Sequence, residues 1–86
     1  MNRGESELDK KLTKVVGMKL KALRNYKGYS LQYVADRILP SKNRGTINHW
    51  ESGRAQPNLS QLKKACDLYG IDVLDFLGEV YSDVFK

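Results

Sequence analysis

Apolar residues recur at every third or fourth position along most of this chain, a spacing that predicts amphipathic helices. The first such stretch begins at Leu8 and is expected to end near Tyr26, with Gly28 as its stop signal. Residues 1–7 show no such spacing, so we expect them to form a flexible N-terminus. One face of the first helix collects the apolar positions Leu8, Leu12, Val15, Val16, Leu20 and Leu23.

A second, short helix is predicted directly afterwards. Ser30 is expected to be its N-cap, because the hydroxyl can accept a hydrogen bond from a backbone N–H of the first turn. Pro40 ends the helix, since proline disfavours helical geometry in the residue before it. The inward-facing stripe consists of Leu31, Val34, Ala35 and Ile38.

A third helix is predicted over residues 46–52, and its two faces differ in character. Ile47 and Trp50 lie three positions apart and are expected to face the core, whereas the remaining side chains are polar. Gly53 is expected to end the helix in a left-handed conformation.

The polar turn before the third helix leaves the start of that helix open. Either Ser41 or Asn43 can act as its cap. Gly45 has two explanations: a turn conformation that other residues avoid, or a close approach of the backbone to a bound partner.

Two further helices complete the predicted fold, which is all-α with five helices. Pro57 is expected in the first turn of the fourth helix, which runs to Tyr69 and stops at Gly70. Its inward residues are Leu59, Leu62, Ala65, Cys66 and Tyr69. The fifth helix carries apolar residues at Val73, Leu74, Leu77, Val80, Tyr81, Val84 and Phe85.

The distribution of charge points to a polyanionic partner. The net charge of +5 arises in the middle of the chain, where residues 10–64 hold thirteen Lys and Arg side chains against Asp36 and Glu51. Both ends are acidic. Such segregation is typical of a surface that binds nucleic acid, although a solvated charged surface would also explain it.

Other chemistry finds little support in the sequence. Cys66 is the only cysteine and is expected to be a small core residue, because it has no partner for an internal disulfide. His49 is the only histidine, so no histidine metal site is expected, and nothing suggests an enzyme or a cofactor. No apolar run is long enough for a membrane span or a signal peptide, so a cytoplasmic location is expected.

Three segments give the chain a family resemblance. VGMKLKALR with KGYSLQYVA, then TINHWESGRAQPNL, and finally ACDLYGIDVLDFL follow one another over about residues 16–77. In order and spacing they resemble the Cro/CI-like (XRE-type) helix-turn-helix family of phage and bacterial transcriptional regulators. The resemblance implies a five-helix, lambda-repressor-like DNA-binding domain over residues 8–77, followed by a C-terminal helical extension over residues 78–86.

The resemblance also assigns roles to individual positions. It makes the third helix the recognition helix of a major-groove reader. The implied base-facing residues are Asn43, Arg44, Gly45, Thr46, Asn48 and His49. The implied phosphate contacts are Ser30, Gln32, Lys42, Ser52, Arg54 and Asn58. Arg24 and Glu51 match a structural ion pair of the family.

The apolar stripe of the fifth helix is longer than one small core needs. It is expected either to fold back on the first and fourth helices or to form a dimer seam. The resemblance favours the seam, because such regulators bind inverted repeats as two-fold dimers with recognition helices about 34 Å apart. The seam residues would be Leu77, Val80, Tyr81, Val84 and Phe85.

The resulting hypothesis is a sequence-specific regulator of transcription, and specifically a repressor that occupies an inverted-repeat operator. Its partners would be double-stranded DNA and a second copy of the chain, with no cofactor, metal or membrane. The alternative is a protein-interaction module, such as an antitoxin or a bridging factor, whose protein partner is unknown and whose DNA binding is secondary.

Overall fold

The computed structural model describes residues 6–86 as five α-helices joined by short connections. The helices are α1 (Glu7–Lys27), α2 (Leu31–Ile38), α3 (Arg44–Glu51), α4 (Leu59–Tyr69) and α5 (Val73–Phe85). The long helix α1 contacts α3, α4 and α5, while α2 packs on α3 and α4. The predicted all-α, five-helix fold is confirmed. Within the described part of the chain, no helix has the length and apolar character needed to cross a membrane.

Helix α1 begins earlier than its apolar spacing predicted. Ser6 is the N-cap, and its hydroxyl accepts a hydrogen bond from the backbone N–H of Asp9 at 3.1 Å. Residues 1–7 were predicted to form a flexible segment. This prediction is wrong for Ser6 and Glu7, and residues 1–5 lie outside the described part. At the other end Gly28 adopts a left-handed φ of 74° and ends the helix as predicted.

The core lies between α1 and the other four helices. It consists of Val16, Leu20, Val34, Ala35, Ile38, Leu39, Ile47, Trp50, Leu62, Ala65, Cys66, Tyr69, Phe76 and Val80. Most of these residues belong to the predicted inward stripes. Phe76, which is 1% exposed, was missed by the sequence reasoning. Leu59 was predicted to face inward and is instead 69% exposed, at the first position of α4, which Asn58 caps.

Helix α5 folds back against α1 and α4, the alternative that the sequence reasoning had not favoured. Val80 is only 3% exposed, so its predicted place in a dimer seam is corrected: it belongs to the core. Leu77 and Val84 are half-buried and pack against the same core. The Lys19 ammonium lies 2.7 Å from the Asp83 carboxylate and fastens α5 to α1. That hydrogen bond raises the pKa of Lys19 and lowers the pKa of Asp83.

Three apolar residues of α5 remain on the outside. Leu74 is 72% exposed, Tyr81 is 66% exposed and Phe85 is 51% exposed. They occupy one side of the helix at spacings of seven and four residues. The rings of Tyr81 and Phe85 lie against each other with centroids 4.6 Å apart. We call these three residues the α5 flank.

Candidate nucleic-acid interface

Helix α3 is anchored through one face and open to solvent on the other. Ile47 is 2% exposed and Trp50 is 3% exposed, as the sequence predicted. The opposite face carries Arg44, Asn48 and His49, all exposed. Arg44 and Asn48 are one helical turn apart, so their side chains leave the helix on the same side. The open face therefore offers hydrogen-bonding groups on a rigidly held helix.

The start of α3 is set by Asn43. Its side-chain oxygen accepts a hydrogen bond from the backbone N–H of Gly45 at 2.8 Å, so Asn43 and not Ser41 is the cap. Helix α3 consequently begins at Arg44, two residues before the predicted start. Thr46, half-buried, lies within the first turn.

Gly45 does not need an unusual backbone conformation, which corrects one of the two explanations considered for it. Its φ is not positive, and a Cβ atom there would lie 2.9 Å from the capping oxygen of Asn43. The absence of a side chain at Gly45 therefore leaves room for the Asn43 side chain to cap α3. The residue in the left-handed region is Lys42, with a φ of 56°, the only positive φ of a non-glycine residue among residues 6–86.

Gln32 has a role that the sequence reasoning missed. Its amide nitrogen donates hydrogen bonds to the backbone oxygen of Lys42 and to the carboxylate of Asp36, both at 2.8 Å. The first bond ties the beginning of α2 to the turn that precedes α3. Both amide hydrogens are engaged, so the predicted phosphate contact of Gln32 would require one of these bonds to break.

The predicted ion pair between Arg24 and Glu51 joins α1 to the end of α3. The Arg24 guanidinium donates two hydrogen bonds to the Glu51 carboxylate, at 2.7 and 2.9 Å, and a third to the backbone oxygen of Tyr29 at 2.9 Å. Glu51 is 8% exposed. The hydrogen bonds to Glu51 raise the pKa of Arg24. The pair therefore ties the end of α3, and with it the open face, to α1 and to the backbone just before α2.

Two of the predicted phosphate contacts are N-caps of helices. The Ser30 hydroxyl accepts from the backbone N–H of Tyr33 at 3.0 Å. Asn58 and Gln61 form a reciprocal capping box at 2.8 and 2.9 Å. Both caps are exposed, so their unused hydrogen-bonding atoms and the first N–H groups of α2 and α4 face solvent.

The loop after α3 turns back tightly on the helix. Gly53 has a φ of 78°, and the His49 backbone oxygen accepts hydrogen bonds from the N–H groups of Arg54 and Ala55 at 2.9 and 3.3 Å. Ser52 and Arg54, both predicted phosphate contacts, are exposed there. Lys42 is exposed at the other end of α3. Basic side chains thus lie at both ends of the open face.

Gly17 permits a close approach between α1 and the end of α3. A Cβ atom at this position would overlap the backbone oxygen of Trp50 and would lie 3.1 Å from the backbone oxygen of Glu51. The helical spacing of apolar residues did not point to Gly17. A glycine in the middle of an otherwise strong helix is the signal that could have revealed it, because glycine there lowers helix stability by about 1 kcal/mol.

Cys66 is a core residue, as predicted. It is fully buried, and burial raises the pKa of its thiol to about 11. The thiol is therefore protonated near neutral pH and contributes packing. In the part of the chain that the structure describes, no three His, Cys, Asp or Glu side chains are grouped as metal ligands.

The comparisons with known proteins agree with this geometry. The helix-turn-helix family model matches residues 20–76, more than half of the chain. The crystal structure of the clp gene regulator ClgR from Corynebacterium glutamicum superposes with a TM-score of 0.71. The two sequences are 26% identical, and the match covers 94% of this chain and 80% of that one. No curated protein matches the sequence.

Proposed function

The chain belongs to the XRE-type helix-turn-helix family of DNA-binding transcriptional regulators, and from this membership we propose that it is a sequence-specific repressor that binds an inverted-repeat operator as a dimer. Helix α3 enters the major groove. Occupying the operator blocks access to an overlapping promoter. The similar structure is that of a regulator of clp genes, which supports a role in transcription.

The observation that carries this proposal is the open face of α3. Arg44 can donate two hydrogen bonds to O6 and N7 of a guanine, and Asn48 or His49 can reach a neighbouring base edge. Side chains of this kind discriminate between base pairs only when their helix is held rigidly. Trp50 and the Arg24–Glu51 pair supply that rigidity.

Phosphate contacts flank the reading face in this proposal. Arg54 and Lys42 supply positive charge at its two ends, and the exposed N-termini of α2 and α4 supply backbone N–H groups. Contacts of this type fix the register of the protein on the duplex and do not read sequence. Because Gln32 holds the turn, we expect it to position α3 and to contribute little directly to phosphate binding.

The proposal is tested by selection of binding sites from random duplex DNA. We expect an enriched inverted repeat that is bound at least about 1,000-fold more tightly than random duplex near 150 mM salt. Genomic copies of the site should overlap promoters. Equal affinity for all duplexes at that salt concentration would refute sequence-specific repression and favour the protein-interaction module.

Substitution of two arginines separates base reading from phosphate binding. Arg44→Ala should weaken binding to the selected site by about 1–3 kcal/mol and relax the preference at one base pair, because a bidentate base contact is lost. Arg54→Ala should weaken binding to every sequence about equally and lower the salt dependence. Fluorescence anisotropy on the selected site and on single-base variants measures both. A uniform loss with Arg44→Ala would assign Arg44 to the backbone.

The α5 flank supports the dimeric part of the proposal. Leu74, Tyr81 and Phe85 place adjacent apolar groups in solvent, and burying them between two copies would be favourable.

Charge on the α5 flank should abolish the dimer. Leu74→Asp with Tyr81→Asp would place two carboxylates from each copy in the interface, so we expect a folded monomer. Its affinity for the full inverted repeat should fall roughly 100-fold, because the second binding event loses its effective concentration. Light scattering gives the mass, and affinity for an isolated half-site should be unchanged. Met18→Asp alters another exposed apolar residue, outside the flank, and should leave the mass as in the wild type. Unchanged mass in the double variant would contradict dimerisation through the flank.

A further inference from the structure

One stripe of α1 carries three lysines, and one of them lies beside the loop that follows α3. Lys10, Lys14 and Lys21 share one stripe of α1 with Gly17 and Arg24, at spacings of three and four residues. We propose that Lys14 is an additional contact to the DNA backbone, outside the helix-turn-helix unit. This inference rests on the proposed DNA-binding function.

Contacts at Lys14 and at the residue before it bring α1 against the loop. A Cβ atom on Gly53 would lie 3.6 Å from the Cα of Lys14, so the two backbones are close neighbours. One residue earlier, the buried Thr13 hydroxyl accepts a hydrogen bond from the Gln56 amide at 3.0 Å and donates to the backbone oxygen of Asp9 at 2.8 Å. The loop between Glu51 and Pro57 is therefore fastened to α1 on the side where Lys14 emerges.

This fastening extends the basic edge of the interface beyond α3. Arg54 directly follows Gly53 in the chain, so its backbone is also next to Lys14. Ser52 and Arg54 follow the C-terminal end of α3, and both side chains are exposed, as is that of Lys14. A duplex whose groove holds α3 has its phosphate backbone along this edge, and a lysine can reach a phosphate beside the one that Arg54 meets.

The positive charge of Lys14 is available for such a contact. Among residues 6–86, Lys14 takes part in none of the ion pairs, whereas Lys10 lies 4.0 Å from Glu7 and Lys19 is bound to Asp83. The acidic residues of α5 approach α1 through Lys19, and therefore on a different stripe from Lys14. The edge that carries Lys14 and Arg54 is thus complementary to a polyanion, and its occupant is the backbone of the same duplex that α3 reads.

The test compares two lysines of α1 that differ in position and not in charge. Lys14→Gln removes the proposed contact. Lys11→Gln is the matched control, because Lys11 shares its stripe with Val15 and Met18, which line a cleft against α5. The affinity of the full chain for the selected site and for random duplex is measured from about 50 to 300 mM salt. Thermal melting confirms that both variants are folded, as expected for exposed side chains.

We expect Lys14→Gln to lower affinity severalfold on both duplexes and to reduce the slope of log affinity against log salt by about 0.9, the value for one phosphate contact. Lys11→Gln should leave the slope as in the wild type. Equal slopes for the two variants would overturn the contact, because only the net charge would then matter. If the wild type binds the selected site no better than random duplex, the proposed function is refuted, whatever the variants show. If the wild type binds no duplex at all, both the proposed function and the Lys14 contact are refuted.

Discussion

Gly17→Ala is expected to destabilise the fold by about 3 kcal/mol or more. The added methyl group would overlap the Trp50 backbone oxygen, and a backbone atom cannot move aside as a flexible side chain can. Helix α1 would have to shift away from α3, which would also strain the Arg24–Glu51 pair and open the junction with the α3–α4 loop. The free energy of unfolding from urea denaturation measures the loss.

Gly78→Ala is the matched control for this result. It is also a helical glycine, but its Cβ would meet nothing within 4 Å. Alanine should therefore stabilise α5 by about 0.5–1 kcal/mol, the ordinary gain over glycine in a helix interior. If both substitutions stabilised the protein, α1 and α3 would not approach each other as closely as the structure places them.

Arg24→Met is expected to cost about 3–5 kcal/mol of stability. It leaves the Glu51 carboxylate, which is 4% exposed in its side chain, buried without its cation and without two hydrogen bonds. The Tyr29 backbone oxygen also loses a donor. The free energy of unfolding gives the size of the effect, and hydrogen exchange at the end of α3 should show which segment opens first.

Lys63→Met provides the comparison for Arg24→Met. Lys63 bonds to Asp67 at 2.7 Å, but the two side chains are 58% and 60% exposed. An exposed pair of this kind contributes little, so we expect a change within about 0.5 kcal/mol. Similar small effects of both substitutions would mean that Glu51 gains access to water when its partner is removed.

Both pairs of variants test one property, the rigid packing of α3 against α1. Gly17 sets how closely the two helices approach, and the Arg24–Glu51 pair sets their register. For a helix that reads base edges, small displacements are costly because bidentate contacts are directional. We therefore expect variants at these buried positions that still fold to lose sequence preference before they lose general affinity for DNA.

The sequence by itself determined the helices and the character of each face. Helical spacing of apolar residues, the Ser30 cap and the glycine stops Gly28, Gly53 and Gly70 act within a few residues, so each could be recognised without knowledge of the fold. The same holds for the two faces of α3, because Ile47 and Trp50 lie three positions apart among polar residues. The Arg24–Glu51 ion pair was predicted from the family resemblance and not from helical spacing.

Only the tertiary structure decided which of several apolar residues are buried and which polar residues join distant segments of the chain. Helix α5 has more apolar positions than the small core can cover, and the angle at which it meets α1 and α4 buries Phe76 and Val80 while leaving Tyr81 outside. The turn before α3 is held by Gln32, ten residues from the backbone oxygen to which it donates. Gly17 is required by a carbonyl 33 residues further along the chain. Because such contacts join segments that are distant in sequence, the local spacing of apolar and polar residues cannot reveal them.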